Sequence, residues 1–200
     1  MRTVSLESLT SISRLVREEI LRGYVQESCI ATSKLLLQVL HELGIQARPI
    51  PNTVLVMNQP YAANVNRIGR LPQGKELETW SKQDNSYSVG LGFGMGSPDR
   101  WTGHLGILVT IANSNLLIDA SVDQVNSPKR LLAIEPPVIA PVPEQFATRE
   151  ASVMVEQNQC LLIYTSKPGN DSFRQTPAWM HSFAPKIILE RAGLLNPVQV

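Results

Sequence analysis

Along residues 5–22 the apolar side chains Leu6, Leu9, Ile12, Leu15, Val16 and Ile20 recur at helical spacing. Such a stripe predicts an amphipathic helix that packs on one side. Ser5 stands where a cap belongs, and Gly23 stands where a left-handed residue ends the helix. A second helix is predicted over residues 28–43, with Leu36, Leu40 and Leu43 on one face and Lys34, Gln38, His41 and Glu42 at polar positions. Ser28 can cap it and Gly44 can end it. Beyond Gly44 the period changes from helical to alternating. Residues 45–50 alternate, and residues 53–57 form a β-branched and apolar run, so both read as strands. Pro49 and Pro51 place the first of them at an edge or an end.

Residues 58–100 carry Pro60, Pro72 and Pro98 among many polar positions and read as irregular. Within them Gly90, Gly92, Gly94 and Gly96 alternate with Leu91, Phe93 and Met95. The run lacks the Gly-Lys-Ser/Thr ending of a phosphate loop and the spacing of a dinucleotide fingerprint. It reads as a strand or loop whose apolar residues pack inward. Gly92 and Gly94 leave a bare face that a substrate or another backbone can approach. Residues 104–111 and 116–120 read as a hairpin around the turn residues 112–115. The proline-rich stretch 134–143 reads as an extended crossing segment. Short strands are predicted at 153–156 and 160–165, and a short helix at 186–192. The pattern predicts an α+β fold, an antiparallel sheet with the helix of residues 28–43 packed against it.

Composition narrows the function. Two hundred residues with 43% hydrophobic content suit a single domain with one core. Eighteen basic against 17 acidic residues leave a net charge of +1, which argues against a nucleic-acid partner. Two cysteines, Cys29 and Cys160, cannot build a disulfide scaffold, and Cys160 sits in an apolar run as a core residue. The histidines at 41, 104 and 181 are too scattered for a closed metal site, and no cofactor motif is present. With no apolar leader and no run of membrane-spanning length, a cytoplasmic protein is expected.

The candidate chemistry lies in Cys29, His104 and Asp119. Cys29 begins a predicted helix, where the free N–H groups and the dipole favour a thiolate. His104 opens one strand of the hairpin and Asp119 ends the other. A thiol nucleophile needs an imidazole to take and return its proton, and the imidazole needs an acceptor on its second nitrogen. A turn centred near Ala112 brings His104 diagonally across from Asp119, and Asp123 is the alternative partner in a different register.

The stretch from Ser28-Cys29-Ile30 to Leu43-Gly44-Ile45-Gln46-Ala47-Arg48 resembles the nucleophile helix of transglutaminase-like proteins. Gly103-His104 before an apolar strand resembles their second motif, and Leu117-Ile118-Asp119-Ala120-Ser121 their third. Arylamine N-acetyltransferases, of the same papain-like superfamily, share the order Cys, His, Asp, and Arg22-Gly23-Tyr24 resembles the residues before their Cys. The resemblance implies a core over residues 22–125 with an insertion at 52–100 and a C-terminal extension at 126–200. It implies acyl transfer through a thioester on Cys29, with a peptide, protein or small amide as substrate and no cofactor. Hydrolysis is favoured over transfer to an amine, and a non-catalytic binding module on the same fold stays open. Gln26 is the side-chain candidate for the oxyanion donor, as a glutamine is in papain-like enzymes. Trp101 would shield His104 or line an acyl pocket.

Overall fold

The computed structural model describes residues 5–23, 28–94, 101–111 and 114–194. In chain order these form α1 (Leu6–Gly23), α2 (Cys29–Glu42), β1 (Ala47–Asn58), α3 (Gln59–Ile68), α4 (Glu76–Gln83) and β2 (Ser88–Leu91). There follow β3 (His104–Ile111), β4 (Ser114–Asp119), β5 (Val138–Val142), β6 (Ser152–Gln157), β7 (Cys160–Ser166), α5 (Pro177–Met180) and α6 (Pro185–Arg191). The fold is α+β. Seven antiparallel strands make one sheet in the order β5-β4-β3-β1-β7-β6, with β2 paired to β1 beside β3. Among the described residues no helix is long and apolar enough to cross a membrane.

The apolar stripe of α1 buries Leu9, Ile12, Val16 and Ile20 against Leu36, Val39 and Leu40 of α2 and against Ile107 and Ile118 of the sheet. Ser5 caps α1 through its hydroxyl, which accepts the Ser8 N–H at 3.1 Å. Gly44 ends α2 with φ +71°, and the next amide, of Ile45, returns to the Leu40 carbonyl at 2.9 Å. The other face of the sheet buries Ile50, Val54, Leu108, Leu117, Phe146, Leu162 and Tyr164. With both faces covered, β3 is buried from His104 to Val109, which is why it reads as a continuous apolar run.

The two strand runs on either side of Asn52 are one strand. Residues 47–52 of β1 pair with β3, and residues 52–58 pair with β7. Pro49 and Pro51 lie in the half that pairs on one side only, so neither needs an N–H for a second neighbour.

The segment 58–100 is less irregular than its prolines suggest. Asn58 caps α3 by accepting the Tyr61 N–H, Pro60 sits in the first turn where no N–H is required, and Gly69 ends the helix in a left-handed conformation. Tyr61 of α3 and Trp80 of α4 meet edge to face at 5.3 Å over Met57. The stretch 134–143 contains an edge strand rather than a crossing segment. β5 pairs with β4 and places Pro141 opposite Leu116, and an edge strand tolerates a proline. Residues 126–200, read as an extension, supply β5, β6 and β7 to the single sheet, with β7 paired between β1 and the edge strand β6.

The glycine run turns its bare faces to the protein itself. A side chain at Gly92, φ +78°, would meet the His104 amide nitrogen at 2.7 Å and the Asn52 carbonyl oxygen at 3.0 Å. One at Gly90 would meet the Phe93 ring, and one at Gly94 the Thr102 side chain at 3.3 Å. Phe93 does not pack inward; it is 59% exposed, and Met95 and Gly96 lie outside the described residues. The close approach at Gly92 is backbone against backbone, so no rotamer change relieves it. Gly92→Val is expected to destabilise the fold by about 2 kcal/mol or more. Chemical denaturation measures this, and an unchanged midpoint would contradict the packing described.

Candidate active site

Strand register brings His104 and Asp119 together. β3 and β4 pair from Ile107↔Ile118 to Ile111↔Ser114, and residues 112–113 of the expected turn lie outside the described residues. Continued towards the open end, this register sets His104 diagonally across from Asp119 on one face. His104 Nε2 lies 2.7 Å from Asp119 Oδ2. The same oxygen accepts the Tyr164 hydroxyl of β7 at 3.1 Å. Oδ1 accepts the Ser121 N–H at 3.0 Å and its hydroxyl at 3.2 Å. His104 is 1% exposed and Asp119 fully buried.

Asp123 is committed elsewhere. It forms an ion pair with Arg17 of α1, Nη2 to Oδ1 at 2.9 Å and Nε to Oδ2 at 3.2 Å. Arg17 is buried, and its Nη1 donates to Ser28 Oγ at 2.6 Å and to Thr32 Oγ1 at 3.4 Å. Ser28 therefore does not cap α2 with its side chain; its hydroxyl is spent on the guanidinium. This clamp fixes the first turn of α2, where Cys29 stands. One turn further on, Ser33 Oγ donates to the Leu105 carbonyl at 2.8 Å. That bond ties α2 to β3 at the residue after His104, and the Cys29 thiol is near enough to the buried His104 ring to help raise its proton affinity. Gln124, in a 3-10 turn over Val122–Val125, places its Nε2 3.2 Å from His104 Nδ1.

The other expected residues fall around this centre. Gln26 lies outside the described residues. Trp101 packs edge to face on Phe173 at 5.7 Å and donates its indole N–H to Asn170 Oδ1 at 3.0 Å, with its ring lying over Gly103. Gly92, with Asn52, Gly103, Arg149 and Lys167, lines a polar groove of about 590 Å³ beside the start of β3. Gly94 packs on Thr102. Cys160 is buried in the core, 3.8 Å from the Leu131 carbonyl oxygen. Among the described residues no group of three His, Cys, Asp or Glu side chains is placed to hold a metal ion.

Arg17, Gln124 and Tyr164 have no role in the sequence reading, and Ser121 enters it only as the last residue of the third motif. Two of them carry a signal there. Ser121 follows Asp119 by two residues, the spacing at which a carboxylate bonds a following backbone N–H. Tyr164 shares its strand face with Cys160 and Leu162, and a buried phenol needs a partner. Gln124 has no local signature.

Charge decides the state of the ring. Burial disfavours imidazolium, but the Asp119 carboxylate by charge and hydrogen bond, and the Cys29 thiol after it, push His104 up to about 10. Burial opposes ionisation of Asp119 too, yet the His104 charge and hydrogen bonds from His104, Ser121 and Tyr164 hold its carboxyl below the usual range. Burial and the nearby carboxylate raise the Tyr164 phenol well above its ordinary value, so it stays a donor. Asp119 holds Nε2 and the Gln124 carboxamide lies 3.2 Å from Nδ1, so the thiol uses Nδ1 only by sharing or displacing that contact. The set can therefore take a proton from sulfur, hold it against a buried counter-charge, and return it.

The folded state binds the His104 proton more tightly than the unfolded chain does. Its contribution to stability is full below about pH 6.5 and fades as pH rises towards 10. Unfolding free energy is expected to fall through this window, by of order 1 kcal/mol per pH unit, and the fall should be absent in His104→Gln. Equal slopes in the two proteins, measured by urea unfolding from pH 6 to 10, would contradict the assignment. No family model, no curated protein and no solved structure matches the chain.

Proposed function

We propose that this protein is a cysteine-nucleophile acyl-transfer enzyme that hydrolyses an amide or peptide bond through a thioester on Cys29. One observation carries the reading. The His104 ring is bonded through Nε2 to a buried carboxylate at 2.7 Å and has the thiol of a helix-starting cysteine against it. In this reading the Cys29 proton already rests on the His104 ring, which Asp119 keeps charged, and the sulfur attacks the carbonyl carbon. Backbone N–H groups at the start of α2 face the developing oxyanion. His104 then protonates the departing amine, leaving an acyl group on sulfur. Water, deprotonated by the same ring, releases the acid and restores the thiol. The helix N-terminus against the strands of His104 and Asp119 is the arrangement the transglutaminase-like and papain-like resemblance implies, and the two free thiols fit a reducing cytoplasm.

A second reading, a binding module that keeps the constellation without turnover, is favoured by burial: Cys29 is 7% exposed and both partners less. An activated acyl donor separates the two. Incubation with p-nitrophenyl acetate is expected to place one acetyl group on Cys29, detected by peptide mass mapping. Acylation should vanish in Cys29→Ala, with folding retained, and slow by about 100-fold or more in those His104→Ala molecules that remain folded, since that variant also strips the buried Asp119 of its counter-charge. Slow wild-type acylation, no faster than free cysteine at the same pH, would favour the binding module. Acyl transfer to added glycine ethyl ester in preference to water would make the enzyme a transferase.

A further inference from the structure

We propose that Tyr164 is a positioning residue that acts through Asp119 to loosen the hold of His104 on its proton, and so serves the step in which water releases the acyl group. The inference rests on the function proposed above and adds to it a buried phenol outside the reacting set. Asp119 Oδ2 accepts from two donors, His104 Nε2 at 2.7 Å and the Tyr164 hydroxyl at 3.1 Å. A carboxylate oxygen has two lone pairs, so both bonds stand together. Oδ1 is filled by the N–H and hydroxyl of Ser121. In the sheet, β1 and β3 lie between β7 and β4, so Tyr164 reaches Asp119 over two intervening strands. A serine or threonine hydroxyl is too short to do so. The Tyr164 ring packs in the apolar core, and its hydroxyl is spent on one buried charge.

Net charge sets the direction of the effect. With the ring protonated, the His104–Asp119 couple is neutral overall; with the ring neutral, it carries one negative charge sealed from water. A hydroxyl dipole with its hydrogen on the carboxylate stabilises the second state more than the first. Tyr164 therefore opposes the pull of Asp119 on the ring proton, and the effect is the same whichever group occupies Nδ1. The two halves of the reaction need different states of the ring. Thioester formation begins from the imidazolium and leaves the ring neutral once the amine has taken the proton. Release by water needs that neutral ring as a base, and a ring beside an unrelieved buried carboxylate is reprotonated from solvent first. The phenol acts only as a dipole, because burial and the carboxylate keep its own proton in place. The groups that face the imidazole are Asp119 from β4, Cys29 from α2, the Gln124 carboxamide and, opposite His104 in the β1–β3 register, Asn52. The Arg17–Asp123 pair, behind Ser28, neutralises itself.

Tyr164→Phe in the full chain removes the hydroxyl and keeps the ring. p-Nitrophenyl acetate separates the two steps, because p-nitrophenolate departs without taking a proton. Its burst reports thioester formation, and the decay of acetylated Cys29, followed by mass spectrometry, reports hydrolysis. The burst rate is expected to stay within about twofold of wild type, since the imidazolium it starts from is retained. Hydrolysis at about pH 8 should slow by about tenfold, and its pH profile should move up by about one unit, the worth of one hydrogen bond to a charged group. The His104 ring, observed by NMR at about pH 10, should be about half protonated in the wild type and about nine-tenths protonated in the variant. A fluorinated tyrosine in place of Tyr164, a stronger donor of nearly the same size, should shift the hydrolysis profile and the ring titration the other way, and it decides the matter if Tyr164→Phe does not fold. A merely structural hydroxyl would lower the unfolding midpoint and leave both the pH profile and the ring titration where they are, and that result overturns the inference. A wild-type Cys29 that takes no acetyl group would count against the proposed chemistry instead, and the ring titration would still decide the role of Tyr164.

Discussion

A carboxylate with no access to water must be satisfied from within the protein, and the Asp119 side chain organises this molecule around that requirement. Removing an ion from water costs several kcal/mol unless hydrogen bonds and a counter-charge replace the solvent. Asp119 collects four partners: the His104 ring, the Tyr164 hydroxyl, and the backbone and hydroxyl of Ser121. They come from β3, β7 and the turn after β4. The register of the hairpin, the place of β7 beside β1 and the conformation of the chain after Asp119 are all bound to one buried charge.

From that charge the arrangement extends outward by short links. The carboxylate holds the imidazole in its protonated form, and the imidazole faces Cys29. The helix that bears Cys29 is held by two bonds of different kinds, Arg17 to Ser28 at its first turn and Ser33 to the Leu105 carbonyl one turn on. The apolar packing of α1 and α2 on the sheet supplies most of the stability. The polar bonds set the register of helix on strand. These directional bonds fix the height of α2 on the sheet and with it the position of the sulfur.

The helices, the hairpin and the Cys29, His104, Asp119 order were legible because each rests on local periodicity or spacing. The α1 stripe from Leu9 to Ile20 and the Gly44 stop are local signals. The diagonal relation of His104 to Asp119 follows from where the turn falls. What was not legible depends on distant contacts. Pro60 reads as a breaker until Asn58 is seen capping the helix that it begins. The glycines between 90 and 94 read as a bare face, and what lies against it (Phe93, the Asn52 and His104 backbone, Thr102) comes from contacts no local pattern shows, while Gly92 also lines the groove beside β3. Arg17 sits as a charged residue within an amphipathic helix, and only its burial against Asp123 and Ser28 reveals it as a clamp. Gln124 carries no signal, since a glutamine in a short turn after a strand is unremarkable until the ring beside it is placed.

The central claim is that Asp119, His104 and Cys29 form one continuous hydrogen-bonded line. An atomic-resolution crystal structure of the reduced protein measures it most directly. The account predicts His104 Nε2 on Asp119 and the Cys29 sulfur within hydrogen-bonding distance of Nδ1. A Cys29 sulfur turned into the apolar core, or a ring whose Nε2 has left Asp119 for another partner, would contradict it.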